Sequence, residues 1–373
     1  MHNPPRLFFY QHVLSDYNFK LFKIISQNTQ FNTKFYFDHD PNQLSAELSG
    51  IIKNPIVMKW YSSGRAIEVY LSARFIFDII RERPSLVLSE DGGNILNNTV
   101  LVALKLFFKF KLILWGLGEI PNRKASLYKR MAWPVIRFIW KRCDAIISYS
   151  NYGRNVYLRE GVSHTSIFVA ANAIDLGDVT ERISFYNSNS ALPSRIHGRL
   201  VILFVGRLEP LKFVDDLLLA YKTILISHPN CMLFIVGEGS QRSKLENLSR
   251  DLGLDNCYFE GCRDINTVSE YFAFADVCAV PGEGGLVINH SLSHGVPVVV
   301  STCDGTEFDL VTDGSNGVFF ERGNNIDLAE KITYVLKNPA IKNYARLHKK
   351  NVPSVMDMAM VFNQAIIYSL GTR

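Results

Sequence analysis

A chain of 373 residues, 47% of them hydrophobic and 20% charged, holds too much apolar material for a disordered protein and too many residues for one ordinary core. Its formal net charge of +5 is too small at this length to identify a nucleic-acid binder. The six cysteines lack the paired spacing and neighbouring histidines of a zinc site or disulfide framework, and read as buried thiols of a reducing compartment.

Met1-His2-Asn3-Pro4-Pro5-Arg6 leads into the apolar run 7–10 without the regions of a secretory signal, so a cytoplasmic location is expected. Strands are predicted at 7–10, 34–37, 86–89, 112–114, 145–149 and 167–169, with helices between them. The apolar stretch 101–118 is interrupted by Lys105, Lys109 and Lys111, which argues against a spanning helix. Residues 121–142 carry Arg123, Lys124, Lys129, Arg130, Arg137, Lys141 and Arg142 with Trp133, Phe138 and Trp140 and no acidic residue. Such a segment suits an anionic membrane face, at about 1 kcal/mol per near-surface cation, or equally a basic helix covering the sheet. Pro134 is expected to break any single helix here.

A polar linker is expected at 181–198. Beyond it the alternation resumes, with strands at 200–205, 232–236, 258–260, 277–280, 296–300 and 317–319 and helices starting near 214, 240, 266 and 286. The predicted architecture is α/β, with two doubly wound Rossmann-like domains, 1–180 and 199–354, and a terminal helix within 355–373 that packs back on the first.

Ligands of open α/β sheets bind beyond the carboxyl ends of strands, so the loops after strands 200–205, 232–236 and 277–280 come first. Arg207 and Lys212, five residues apart after Gly206, both reach an anion at that edge, and a diphosphate is the natural candidate. In Gly237-Glu238-Gly239-Ser240 small residues let the backbone approach a ligand. Gly282-Glu283-Gly284-Gly285 opens the helix at Leu286, whose unpaired amides and dipole stabilise phosphate charge, while Glu283 is suited to accepting from sugar hydroxyls. Asn289 and His290 ride on that helix.

The ordered runs Phe204-Val205-Gly206-Arg207-Leu208, Val236-Gly237-Glu238-Gly239, Phe259-Glu260-Gly261, Ala275-Asp276-Val277 and Gly285-Leu286-Val287 through Gly295-Val296-Pro297-Val298-Val299 resemble the donor domain of family-4 nucleotide-sugar glycosyltransferases, over residues 143–335. The resemblance implies a GT-B enzyme with its two sheets facing a central cleft. It implies transfer of a sugar, usually with retention, from a nucleotide-sugar to a glycan or lipid-linked acceptor such as those of bacterial surface-polysaccharide assembly. Arg207 and Lys212 then match the diphosphate pair, the Gly284-Gly285-Leu286 amides lie where sugar and phosphate meet, and Arg263 neighbours the nucleobase. The family's two glutamates, separated by seven residues, fall on Gly282 and His290; Glu283 stands one place late, and His290 is left to contact the ribose hydroxyls.

Acceptor groups are sought in the first domain: His12, Glu90, Asp91 and Glu119, each in a loop after a strand. A carboxylate among them would orient the acceptor hydroxyl, or His12 would act as base in an inverting reaction. Asp38-His39-Asp40 reads as a solvated loop, and neither metal nor cofactor is expected. The alternatives are another GT-B enzyme, such as a nucleotide-sugar epimerase, and a non-catalytic scaffold; nucleic acid is not an expected partner.

Overall fold

In a computed structural model the described residues are 4–39, 47–48, 51–52, 56–62, 65–92, 94–121, 127–177, 179, 192–196 and 198–371. They divide into two compact units, one formed by Met1–Asp175 with Ser354–Arg373 and the other by Leu176–Pro353. Of the stretch 181–198, only the short helix Leu192–Ile196 and Gly198 lie within the described residues.

The strands of unit 1 are β1 (Arg6–Val13), β2 (Asn32–His39), β3 (Ile51–Ile52), β4 (Ile56–Ser62), β5 (Arg65–Leu71), β6 (Leu86–Glu90), β7 (Lys111–Gly116), β8 (Ala145–Ser148) and β9 (Ile167–Val169). Seven of them form a parallel sheet in the order β3-β2-β1-β6-β7-β8-β9. Alternation along β1 feeds both faces of this sheet. Leu7 and Phe9 enter one core with Phe22, Trp115 and Phe362, while Phe8 and Tyr10 enter another with Phe75, Leu101 and Trp140. Burial on both faces is why the parallel strands read as nearly unbroken apolar runs.

Two features depart from the sequence reading. Periodicity predicts only helix between residues 37 and 86, but β4 and β5 pair there as a separate antiparallel ribbon ahead of helix Ala73–Glu82. Helix Leu127–Arg142 also runs unbroken through Pro134. Both Pro134 and Arg130, whose carbonyl loses its partner, are exposed, so water can serve the carbonyl that the proline leaves unbonded.

Unit 2 contains β10 (Val201–Val205), β11 (Met232–Val236), β12 (Cys257–Gly261), β13 (Val277–Val280), β14 (Val298–Val300) and β15 (Gly317–Phe319). They form a parallel sheet in the order β12-β11-β10-β13-β14-β15. Ile202 and Phe204 of β10 enter one core, Val201 and Leu203 the other. Both units are thus doubly wound α/β. The chain leaves the middle strand in one direction and returns on its other side, between β1 and β6 in unit 1 and between β10 and β13 in unit 2.

The final helix, Val355–Leu370, starts at a capping box in which Ser354 and Asp357 satisfy each other's backbone amides. It belongs to unit 1, where Trp115 meets Phe362 edge-on at 5.2 Å. The six cysteines are free thiols; Cys231, Cys278 and Cys303 are buried as expected, Cys143 and Cys257 are half-buried, and Cys262, in the polar loop just after β12, is exposed.

Candidate functional site

Unit 2 brings three loops together where β10 and β13 separate. The backbone does most of the joining. Gly206 donates to the Val236 carbonyl at 3.0 Å, Leu208 to Glu238 at 2.8 Å, and the Glu283 amide to Leu211 at 3.0 Å. A Cβ on Gly237 would sit 1.8 Å from the Gly206 oxygen, and one on Gly282 would sit 2.1 Å from the Leu211 oxygen. Both positions therefore exclude any side chain, and Gly237 also has a φ of 148°. A glutamate at 282, which the resemblance leads one to expect, has no room, and the carboxylate stands at Glu283 instead.

Lys212 ends the turn Pro210–Lys212 and donates from Nζ to the carbonyl of Glu283 and, at 3.4 Å, to that of Gly284. Burial pulls this ammonium below the usual lysine range, and the Arg207 charge adds to the effect, against the opposing Glu283 carboxylate. Gly285, at φ 77° and ψ −143°, then starts helix Leu286–Ser293. Arg207 is exposed beside the turn. A desolvated lysine, an exposed arginine and a helix start gathered at one sheet edge can hold a multiply charged anion.

A fourth loop, after β14, was not singled out from sequence. Glu307 is fully buried and accepts from the amides of Cys303 at 2.8 Å, Asp304 at 3.2 Å and Gly305 at 2.9 Å. Burial pushes its carboxyl up, and the backbone donors hold it back. The Cys303 thiol in turn lies 3.0 Å from the Gly282 carbonyl, which ties this loop to the one after β13. The available signal was positional: Asp304-Gly305-Thr306 follows a strand at the same sheet edge.

The side chains of Glu238, Arg263 and His290 are engaged with other partners. Glu238 pairs with Arg242, and Arg263, 44% exposed, lies 3.6 Å from Glu260. His290 is only 4% exposed, with Nε2 3.0 Å from the Ser269 hydroxyl and its ring 4.4 Å from that of Phe272. The ribose contact expected of His290 does not fit this placement, because the helix turns the ring into the core. Leu286 is the first residue of its helix and half-buried.

Unit 1 has its own site, where β1 and β6 separate. His12 Nδ1 lies 2.9 Å from Asp38 Oδ2, and the His12 amide donates to Glu90 Oε2 at 3.3 Å. Asp38 is 3% exposed and also accepts from Tyr10 at 2.5 Å and Ser72 at 2.6 Å. The solvated loop expected at 38–40 is therefore wrong for Asp38, which anchors a buried polar network; Asp40 lies outside the described residues. Burial pushes the Glu90 carboxyl up, the His12 amide and side chain oppose this, and Asp91 and Asp38 add to the rise.

Asp91 accepts from the Trp140 indole at 2.7 Å and from the Tyr157 hydroxyl at 2.8 Å. Those bonds fasten two helices to the end of β6, so Asp91 is better suited to positioning than to meeting a substrate hydroxyl. Glu90 and Asp91 both line a cavity of about 390 Å³ with Ile95, Leu117, Ile136, Ile139 and Trp140, and Glu90 alone of the two also lines a second, of about 230 Å³, with Gln11, His12, Ser15 and Asn94. Glu119 sits in the loop after β7 but lines neither cavity.

Among the described residues no three of His, Cys, Asp or Glu gather as a metal site would require, and no helix is long and apolar enough to cross a membrane.

Known proteins agree with this architecture. An Anabaena protein, HepE, solved in complex with UDP superposes with a TM-score of 0.75 at 17% identity, over 97% of this chain and 99% of that one. An uncharacterized glycosyltransferase of Methanocaldococcus jannaschii is 32% identical over 148 residues, 39% of this chain and 37% of that relative. The D-inositol 3-phosphate glycosyltransferase of Thermomonospora curvata is 32% identical over 152 residues, 37% of this chain and 35% of that relative. The chain thus spans little more than a third of the length of these two curated relatives. Residues 191–352, which include all four loops of the unit 2 site, match the family described as glycosyl transferases group 1.

Proposed function

We propose that the chain is a glycosyltransferase in which unit 2 holds a nucleotide-sugar and unit 1 receives a glycan or lipid-linked acceptor, with retention of configuration and without a metal ion. The observation that carries this reading is the Lys212 ammonium seated on the Glu283 and Gly284 carbonyls, one residue before a glycine-started helix. Lys212, Arg207 and the helix start supply the positive charge needed by a departing nucleoside diphosphate. Gly206 and Gly237 let backbone approach the donor, Arg263 neighbours its base, and Glu283 accepts from the donor sugar. In the transfer step the bond from the anomeric carbon to phosphate oxygen breaks and a bond to the acceptor oxygen forms on the same face. The acceptor proton passes to the departing phosphate, so the chain's contribution is largely electrostatic.

Incubation with UDP-, GDP- and CMP-sugars, following nucleoside diphosphate release and labelled product, tests the reading. Transfer gives a glycosylated acceptor and free nucleoside diphosphate. An isomerised donor would make the protein an epimerase, and no turnover with any donor, in the parent or in Lys212→Ala, would make it a scaffold.

The same reading includes a peripheral contact with an anionic cytoplasmic membrane face through residues 121–142. In its support, helix Leu127–Arg142 buries Ile136, Ile139 and Trp140 while Met131, Val135 and Phe138 point to solvent beside Arg130, Lys141 and Arg142. Sedimentation with phosphatidylglycerol vesicles should exceed that with phosphatidylcholine and weaken with salt; equal partition would remove the membrane from the proposal.

A further inference from the structure

Among the described residues three other than glycine adopt a positive φ: Arg83 at 49°, Lys109 at 54° and Phe213 at 52°. Arg83 and Lys109 end α-helices, where a left-handed residue is ordinary. Phe213 instead joins two helical elements directly, closing the turn Pro210–Lys212 and opening helix Val214–Ser227 with φ 52° and ψ 41°. Glycine adopts this conformation freely, whereas an aromatic residue is strained in it and persists only where its surroundings hold it. The hold comes from the loop after β15. Arg322 lies over the Phe213 ring, its Cζ 4.8 Å from the ring centroid, and donates from Nη1 to the Thr302 carbonyl at 3.3 Å. On the other side the turn rests on the loop after β13, where a Cβ added to Gly282 would sit 2.7 Å from Lys212 Cα.

We infer that Arg322 and Phe213 are positioning residues for Lys212. The guanidinium pins the ring, the pinned ring fixes the left-handed junction, and the junction sets the lysine backbone so that Nζ meets the carbonyls of Glu283 and Gly284. The inference rests on the reading of unit 2 as the donor site and adds two residues that act through the lysine rather than on the donor. A glycine at 213 would make the same junction without strain but would leave it free to swing. An aromatic ring under a cation restricts that motion, and the cation is itself tied to the loop after β14. The strain at Phe213 is thus the counterpart of a fixed ammonium, held where charge on a departing diphosphate would develop.

A double-mutant cycle on the full chain is the test. Phe213→Gly and Arg322→Gln should each lower kcat about tenfold, short of the loss expected on removing the ammonium itself, with the KM for acceptor and the melting temperature close to those of the parent. In a Lys212→Ala background neither should lower kcat further, because the group they position is gone. A second readout needs no turnover: amide hydrogen exchange over residues 209–217 should run several times faster in Arg322→Gln than in the parent, although the substitution lies more than a hundred residues away in sequence. Unchanged kcat in both single variants, an equal further loss in the Lys212→Ala background, or exchange that stays at the parent's rate overturns the inference. Faster exchange in Arg322→Gln of a chain that turns over no nucleotide-sugar would instead sink the transferase reading and leave the hold on the lysine turn standing.

Discussion

The two units place their sites at equivalent points, where the sheet order reverses, but build them from different material. In unit 2 the loops meet chiefly through backbone. Gly237 and Gly282 allow loops to touch where no Cβ fits, and Lys212 binds carbonyls rather than side chains. In unit 1 the site is side chain. Asp38, Glu90 and Asp91 are held by tyrosine, serine, histidine and tryptophan drawn from four separate stretches of sequence. A backbone site tolerates few substitutions at its glycines, and a side-chain site can be retuned one residue at a time.

Substitutions at the two places should separate these behaviours. The largest effect is expected from Gly237→Ala or Gly282→Ala, each costing at least about 3 kcal/mol in urea unfolding because a loop must move or strain. Unchanged stability in both would mean that the loops are not in contact. Next, Lys212→Ala should lower kcat by about a hundredfold with little loss of stability, and the KM for acceptor should stay near that of the parent. Trp140→Phe comes third. Removing the indole donor from Asp91 should cost about 1–3 kcal/mol and weaken acceptor binding, with donor binding untouched; a changed donor affinity would contradict the separation of roles.

The smallest effect, and the most diagnostic of burial, concerns Glu90. Its folded value lies above the ordinary one, so the stability it contributes is fully present below the usual glutamate range and lost as pH rises through the folded value. Glu90→Gln should therefore melt higher than the parent at neutral pH, and the gap should close on acidification. A gap that widens towards low pH would show that the carboxylate is stabilised in the fold.

The backbone-built site was the legible one. Glycine placement after apolar strands marks the loops at 206, 237 and 282–285, because a conformational demand leaves its mark at a single position. The side-chain site gave position but not partnership. Nothing local in Asp38-His39-Asp40 says that Tyr10 and Ser72 will bury its first carboxylate, since that contact spans 28 and 34 residues. His290 misled for a related reason: motif register fixes where a residue sits along a helix, whereas the neighbours Ser269 and Phe272 decide which way it faces. The ribbon β4–β5 left a signal, two runs rich in β-branched and aromatic residues separated by Ser63-Gly64, which helix-and-strand alternation overrode. Pro134 marks the limit of a propensity rule, as an exposed helix face lets water replace the bond that proline removes.

The packing of Gly282 on Leu211 constrains redesign. With the turn at 210–212 closed onto residue 282, no single substitution can place a glutamate there, since any side chain collides with the Leu211 carbonyl first. Admitting one would need the preceding turn to shorten or swing, so a swap of both loops together should be tolerated where either alone is not.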